Sequence, residues 1–267
     1  MQRSLLQKYV VVFSNTWQEM VTYRVNTLIE LGMGFLTFFS MYFVWTEMFR
    51  DKVSILGYSM GDMIAYYALI GYILSSIVSY VPIADEIRTG QLSKYLTRPI
   101  SYFGHHYVKN LAERIYFLMI GLPAVFCLFY YFRDVIQVDF DISRFVLSII
   151  ALFGAISIMF LLSSLLAIIE FWMLYSDSIT MITELITFFL AGSFIPLEFL
   201  PSWLQQLGAV LPFKYVGAFL VEIFLGRISL QSAMLGIVIQ GVWVVFLLLL
   251  IRFVWKRGLR RYEANGN

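Results

Sequence analysis

The sequence predicts an all-α membrane protein with six transmembrane helices. An amino-terminal interfacial amphipathic helix precedes them, and an outer re-entrant helical hairpin joins spans five and six. Three observations lead there. Of 267 residues, 60% are hydrophobic and only 13% charged, too little charge to cover a soluble domain of this length. Six apolar runs reach or approach the ~20 residues that cross ~30 Å of hydrocarbon. The 19 Lys and Arg residues are shared unevenly among the connections, as orientation in a bilayer requires.

Residues 4–23 come first and are amphipathic. Leu5, Leu6, Tyr9, Val10, Phe13, Trp17, Met20 and Val21 recur at helical spacing, with Ser4, Gln7, Lys8, Ser14, Asn15, Gln18 and Thr22 opposite. Such a helix lies in the headgroup plane, anchored here by Arg3, Lys8 and Trp17. By itself the pattern favours a simple anchor over a lever beside a partner protein. These residues lack the apolar core and cleavage site of a signal peptide, so no processing is expected.

The spans fall at residues 25–48, 60–82, 111–132, 145–169, 179–195 and 233–255. The fifth is the shortest. With the amino terminus inside, Arg3, Lys8, Arg24, Arg88, Lys94, Arg98, Lys109, Arg114, Arg252, Lys256, Arg257, Arg260 and Arg261 face the cytoplasm. Arg50, Lys52, Arg133, Arg144, Lys214 and Arg227 face outward. This asymmetry places both termini inside, which demands an even number of spans. The chain then reads as one transmembrane domain over residues 1–267. Its parts are an interfacial helix (1–24), five spans with an inside loop at 83–110 (25–195), an outer hairpin (196–232), span six (233–255) and a tail (256–267).

Small residues recur every fourth position in span two, at Gly71, Ser75 and Ser79, and again at Ala151 and Ala155 in span four. Inside lipid, helices approach closely through such stripes, so these are packing signals. In the inside loop, Asp85, Glu86 and Arg88 form a short helical segment ending at Gly90, whose freedom at positive φ suits a helix C-terminus. A second segment, 91–98, sets Leu92, Tyr95 and Leu96 on one face and stops before Pro99. That face has the form of a plug for a groove on another protein; resting on the headgroups through Lys94 and Arg98 is the plainer reading. In the outer connection, Pro196, Pro201 and Pro212 punctuate the chain. Ser202-Trp203-Leu204-Gln205 reads as a capping box opening a short helix through Leu211. Residues 213–225 are apolar but too short to cross, and Glu222 interrupts them, which favours a re-entrant hairpin over a seventh span.

Several patterns exclude other classes. Gly57-Tyr58-Ser59-Met60-Gly61 matches a nucleophile elbow, but it precedes a span rather than following a strand. His105 and His106 lie across the membrane from it. No catalytic residue and no metal site is assigned: the histidines lack ligand spacing, and Cys127 is the single cysteine. No phosphate-binding Gly-rich loop occurs. The basic residues sit beside spans rather than on a nucleic-acid surface. Glu184, flanked by Thr180, Thr183 and Thr187, lies near the middle of the fifth span, where a carboxylate costs about 2.5–3.5 kcal/mol. Cargo contact and interhelical hydrogen bonding explain it equally well.

Two segments carry a resemblance. Residues 83–92 read Ile-Ala-Asp-Glu-Ile-Arg-Thr-Gly-Gln-Leu, with Leu96 and Arg98-Pro99 following. Residues 192–204 read Gly-Ser-Phe-Ile-Pro-Leu-Glu-Phe-Leu-Pro-Ser-Trp-Leu, with Leu211-Pro212 after them. At these positions between these spans, the chain resembles the type-2 ABC transporter permeases, the membrane subunits of bacterial ABC exporters, over almost its whole length. It is most similar to the branch of paired permeases served by one ATPase.

The resemblance implies a dimer of six-span subunits, identical or paralogous, in the bacterial cytoplasmic (inner) membrane. Two copies of a separate ABC ATPase would bind ATP and Mg²⁺, and this chain would hold no cofactor. It implies that Asp85, Glu86, Arg88, Leu92, Tyr95 and Leu96 form an ATPase-coupling helix and that residues 4–23 act as a connecting lever. The segment with Pro196, Pro201, Trp203 and Pro212 would be the outer hairpin. Cargo would be amphipathic or lipid-like (drug, antibiotic, peptide or lipid). It would move outward along a path lined by spans one, two and five, with Glu184, Thr180 and Thr187 as candidate contacts. An ion-gradient-driven secondary transporter or channel is the alternative, although neither inverted repeats nor broken midplane helices are visible. A non-transporting membrane scaffold is the third reading.

Overall fold

A computed structural model describes residues 5–77, 81–138, 140–173 and 177–262. Among the described residues every regular element is a helix. The sole β feature is an isolated bridge between Ile55 and Tyr58. In hydrocarbon, backbone N–H and C=O groups find no water, and a helix satisfies them within one segment. The order is α1 (Leu5–Thr22), α2 (Arg24–Met48), α3 (Met60–Ile77), α4 (Ile83–Arg88), α5 (Leu92–Leu96), α6 (Tyr102–Tyr131), α7 (Ile142–Ile168), α8 (Asp177–Leu190), α9 (Ser202–Val210), α10 (Ala218–Phe224) and α11 (Leu230–Gly258).

Five of these, α2, α3, α6, α7 and α11, are long and apolar enough to cross a membrane. The expected fifth span is shorter than the sequence suggests. α8 covers 14 residues, about 21 Å at 1.5 Å per residue. Residues 191–195, expected inside it, form its cap instead. Gly192 takes φ +82, and Ser193 N–H reaches back to the Phe188 carbonyl (3.2 Å), the bonding of a glycine-terminated helix end.

The expected packing stripes are seated at helix contacts. A Cβ on Gly34 of α2 would lie 3.7 Å from Ser75 Oγ of α3, and one on Gly71 3.9 Å from the Gly34 carbonyl, so α2 and α3 run close. Ser79 lies outside the described residues. Ala151 and Ala155 of α7 are fully buried. There α11 closes on α7, and Gln240 threads between them. Its Nε2 donates to the Ala151 carbonyl (2.9 Å) and to the Tyr215 carbonyl (2.7 Å).

α6 begins at Tyr102, nine residues before the expected start of span three. Ser101 caps it by accepting from Gly104 N–H (3.3 Å). α1 lies along this extension. Trp17 meets Tyr116 edge-on (5.3 Å), Lys8 donates to the Pro99 carbonyl (3.1 Å) and Lys109 pairs with Glu19 (3.8 Å). Leu5, Leu6 and Val10 remain exposed on α1, the apolar face that an interfacial helix offers to lipid.

At the far end of the bundle the nucleophile-elbow pattern resolves into a helix start. Ser59 N–H and Oγ each donate to Asp62 (2.8 Å), and Ser59 Oγ accepts from Asp62 N–H (3.1 Å), a reciprocal cap on α3. The expected capping box at Ser202 does not form. Pro201 precedes α9 without a side-chain cap, and Gln205 Nε2 donates to the Glu198 (3.1 Å) and Leu200 (2.8 Å) carbonyls instead. α9 and α10 differ in burial: α9 exposes Trp203, Leu207 and Val210, whereas α10 is buried from Ala218 to Ile223. Glu222, 2% exposed, is balanced there by Lys214 at 3.3 Å.

Candidate functional site

Two features meet at the α4–α5 end of the bundle: a clamped pair of short helices and a groove that opens beside them. The clamp is built on Glu86. Its side chain is 6% exposed and accepts from Tyr102 Oη (2.6 Å), while His106 Nε2 lies 3.2 Å from the same oxygen. Tyr102 and His106 share one face of α6, four residues apart, so the start of α6 grips α4. Burial pushes the Glu86 carboxyl up, but hydrogen bonds from His106 and Tyr102 outweigh it and hold the carboxyl below its ordinary range. Opposite charge and hydrogen bonding favour the ionised form in this way.

The same clamp holds α5. Leu92 is fully buried and Tyr95 packs against Tyr102 (5.8 Å). The apolar face of 91–98, expected to plug a groove on another protein, is thus turned into this chain's own core, because Leu92 and Tyr95 complete the aromatic cluster over α6. Only Leu96, 45% exposed, stays outside. Gly90 sits at φ +75 between α4 and α5, as its position predicts. Its carbonyl accepts from Tyr262 Oη (2.8 Å), which in turn accepts from Ser93 N–H (3.3 Å). Tyr262, just beyond α11, therefore ties the last helix to this loop. Trp255 of α11 stacks on Tyr102 at 5.0 Å, and Phe171 closes on both Trp255 and Tyr262.

Of the six residues expected to form a coupling surface, Glu86, Leu92 and Tyr95 face inward. Asp85 and Arg88, which form an ion pair with each other, lie beside the groove. Arg88, Gln91, Ser93, Lys94, Leu96 and Arg98 are among the exposed side chains of this end, with Thr89, Thr97 and Pro99.

The groove has a volume of about 780 Å³ and runs from Asp85 and Arg88 of α4 to Ser193 beyond α8. α3 and α7 form one wall through Leu74, Met159, Leu162, Ser163, Leu166 and Ala167. α8 forms the other through Thr180, Met181, Thr183, Glu184, Thr187 and Phe188. Thr180, Glu184 and Thr187, expected as path residues, thus come together in one cavity, joined by Glu170 at the end of α7. α2, the first span, does not line it. It bounds a separate cavity of about 30 Å³ with α3 and α6.

At the other end the segment after α8 is fastened to α3. Tyr66 Oη donates to the Gly192 carbonyl and Tyr67 Oη to that of Phe194, both at 2.8 Å. Pro196 and Pro212 are buried there, whereas Pro201 and Trp203 are exposed. Sequence reasoning singled out Glu86 and His106 separately and left their pairing unseen, since twenty residues and two helix breaks intervene. It also passed over Gln240, although an amide amid the apolar middle of a 29-residue helix is itself a signal of a buried hydrogen bond. Among the described residues no group of His, Cys, Asp and Glu is placed to hold a metal ion.

Neither the curated proteins nor the solved structures give a match to this sequence. A family model described as "ABC-2 family transporter protein" matches residues 31–266, from within α2 through the end of the described chain. Its span takes in the clamp, the groove and the outer hairpin together. With five long apolar helices and nearly its full length matched, this multi-pass chain belongs to the ABC-2 transporter family, as a membrane permease component.

Proposed function

We propose that this permease carries an amphipathic or lipid-like cargo outward across a bacterial cytoplasmic membrane, driven by a separate ABC ATPase that binds ATP and Mg²⁺. The observation that carries the reading is the continuity between the clamp and the groove: Asp85 and Arg88 of α4 belong to both. A push on α4 and α5 from the cytoplasmic side is delivered through the Glu86–Tyr102–His106 contact to α6 and through Tyr262 to α11. α8 is packed lightly, mainly against α7, so movement of that body changes the width of the groove along α8. Two permeases, identical or paralogous, and two ATPases would complete the transporter, with both termini cytoplasmic. α8 would then serve as a sixth, short span, and the α9–α10 hairpin would dip into the outer leaflet, its buried arm closing the groove's outer end.

In this reading Arg88, Gln91, Lys94 and Leu96 meet the ATPase, while Glu86, Leu92 and Tyr95 hold the helices that present them. The test is the number of cargo molecules moved per ATP in the reconstituted complex. Arg88→Ala combined with Lys94→Ala is expected to lower that ratio severalfold while the complex still assembles. An unchanged ratio contradicts the assignment of this surface.

A further inference from the structure

We propose that the groove is selective for cationic amphiphiles; this rests on reading the groove as the transport path. Its volume of about 780 Å³ falls within the ~300–1,000 Å³ of pockets that enclose drug-sized molecules. One wall, with Leu74, Met159, Leu162 and Leu166, is apolar and, through methionine, adaptable in shape. The charges are one-sided. Three carboxylates, Asp85, Glu170 and Glu184, line the cavity against one guanidinium, Arg88, and Arg88 is engaged with Asp85. With Asp85 and Arg88 paired, the carboxylate that gives the groove its sign is Glu184 on α8.

Two of the lining hydroxyls reinforce that sign. Thr183 and Thr187 donate their protons to their own helix, to the carbonyls of Ile179 (2.9 Å) and Thr183 (2.7 Å). What they turn toward a ligand is lone pairs. A carboxylate beside two hydroxyl acceptors suits a cation, whereas an anion meets like charge on α8. Between low-dielectric walls opposite charges attract several times more strongly than in water. A bound cation also offsets the ~2.5–3.5 kcal/mol cost of a carboxylate at membrane depth. The apolar wall demands that the cation be carried on a hydrophobic body.

Tetraphenylphosphonium and tetraphenylborate are near-isosteric ions of opposite sign and separate charge from shape. Binding of each to the purified permease–ATPase complex in zwitterionic nanodiscs, corrected for empty discs, gives the test. The phosphonium is expected to bind at least about tenfold more tightly than the borate, equivalent to ~1.4 kcal/mol. Glu184→Gln is expected to remove most of that preference by weakening the phosphonium. Equal affinities, a preference for the borate, or a preference untouched by Glu184→Gln overturns the proposal. Leu162→Trp, which fills the groove, distinguishes the two levels of the reading. If it abolishes binding of both ions while the wild type shows no preference, the path stands and the cationic class falls. If neither ion responds to it, the groove is not the binding site and both readings fall.

Discussion

At Glu86 a single carboxylate decides whether α4 and α5 stay docked. A buried carboxylate is tolerable only when its oxygens are hydrogen-bonded, and Tyr102 and His106 supply those bonds. Glu86→Gln is expected to lower stability at neutral pH by about 1.5–3 kcal/mol, the range for hydrogen bonds to charged groups. The sign of the pH dependence follows from the depressed carboxyl. Its stabilisation is complete above the ordinary value of 4.5 and is lost as pH falls through the lower folded-state value. Thermal unfolding of the detergent-solubilised protein at neutral and acid pH checks this: the gap between wild type and Glu86→Gln should close on acidification. A gap constant with pH would mean that the carboxylate's charge has no part in the clamp. Gln240 is the second such residue. Gln240→Leu leaves two carbonyls without their donor and is expected to cost about 1–3 kcal/mol, read by the same unfolding measurement. Neither network was legible residue by residue, because each joins groups far apart in the chain; only the oddity of a polar residue in an apolar helix was visible.

At the scale of elements, periodicity located the helices and failed at their ends. Residues 25–48, 145–169 and 233–255 anticipated α2, α7 and α11 closely, since each is a long, mostly apolar run; 60–82 anticipated α3 at its start, its end at 78–80 lying outside the described residues. α6 was cut short because its first turns carry the polar residues His105, His106 and Lys109, of which His106 pairs with α4 and Lys109 with α1. α8 was drawn too long because residues 191–195 are as apolar as a span, yet Gly192 ends the helix. That glycine has two reasons to be there: φ +82 and the Tyr66 hydroxyl against its α-carbon. Gly192→Ala is expected to destabilise the protein by about 1–2 kcal/mol from the left-handed backbone alone. Tyr66→Phe, which loses one hydrogen bond, should cost less. A stability unchanged in Gly192→Ala would show that the α8 end relaxes without its cap.

Across the whole molecule, packing is uneven in a way that composition does not announce. α3, α7, α10 and α11 enclose the core, with α10 buried on all sides, whereas α2 and α8 turn most of their apolar surface outward. α2 is nevertheless seated along α3, so α8, which packs mainly against α7, is the part free to move against a rigid body that includes the clamp. Amide exchange is therefore expected to be faster in α8 than in α7 or α10; equal protection would contradict the division. The helix breaks around 90, 196, 201 and 212 were recognisable from Gly90, Pro196, Pro201 and Pro212, residues whose backbone demands are local. The groove was not, because it is made by four helices and a cap converging from separate parts of the sequence. The central claim is that this chain converts work done elsewhere into motion along the groove. Transport of a labelled amphiphile into proteoliposomes tests it most directly, comparing the permease alone with the permease–ATPase complex, with ATP and with vanadate. The account predicts movement only in the complex, dependent on ATP and stopped by vanadate. Transport by the permease alone on an ion gradient, or nucleotide hydrolysis by the isolated chain, would contradict it.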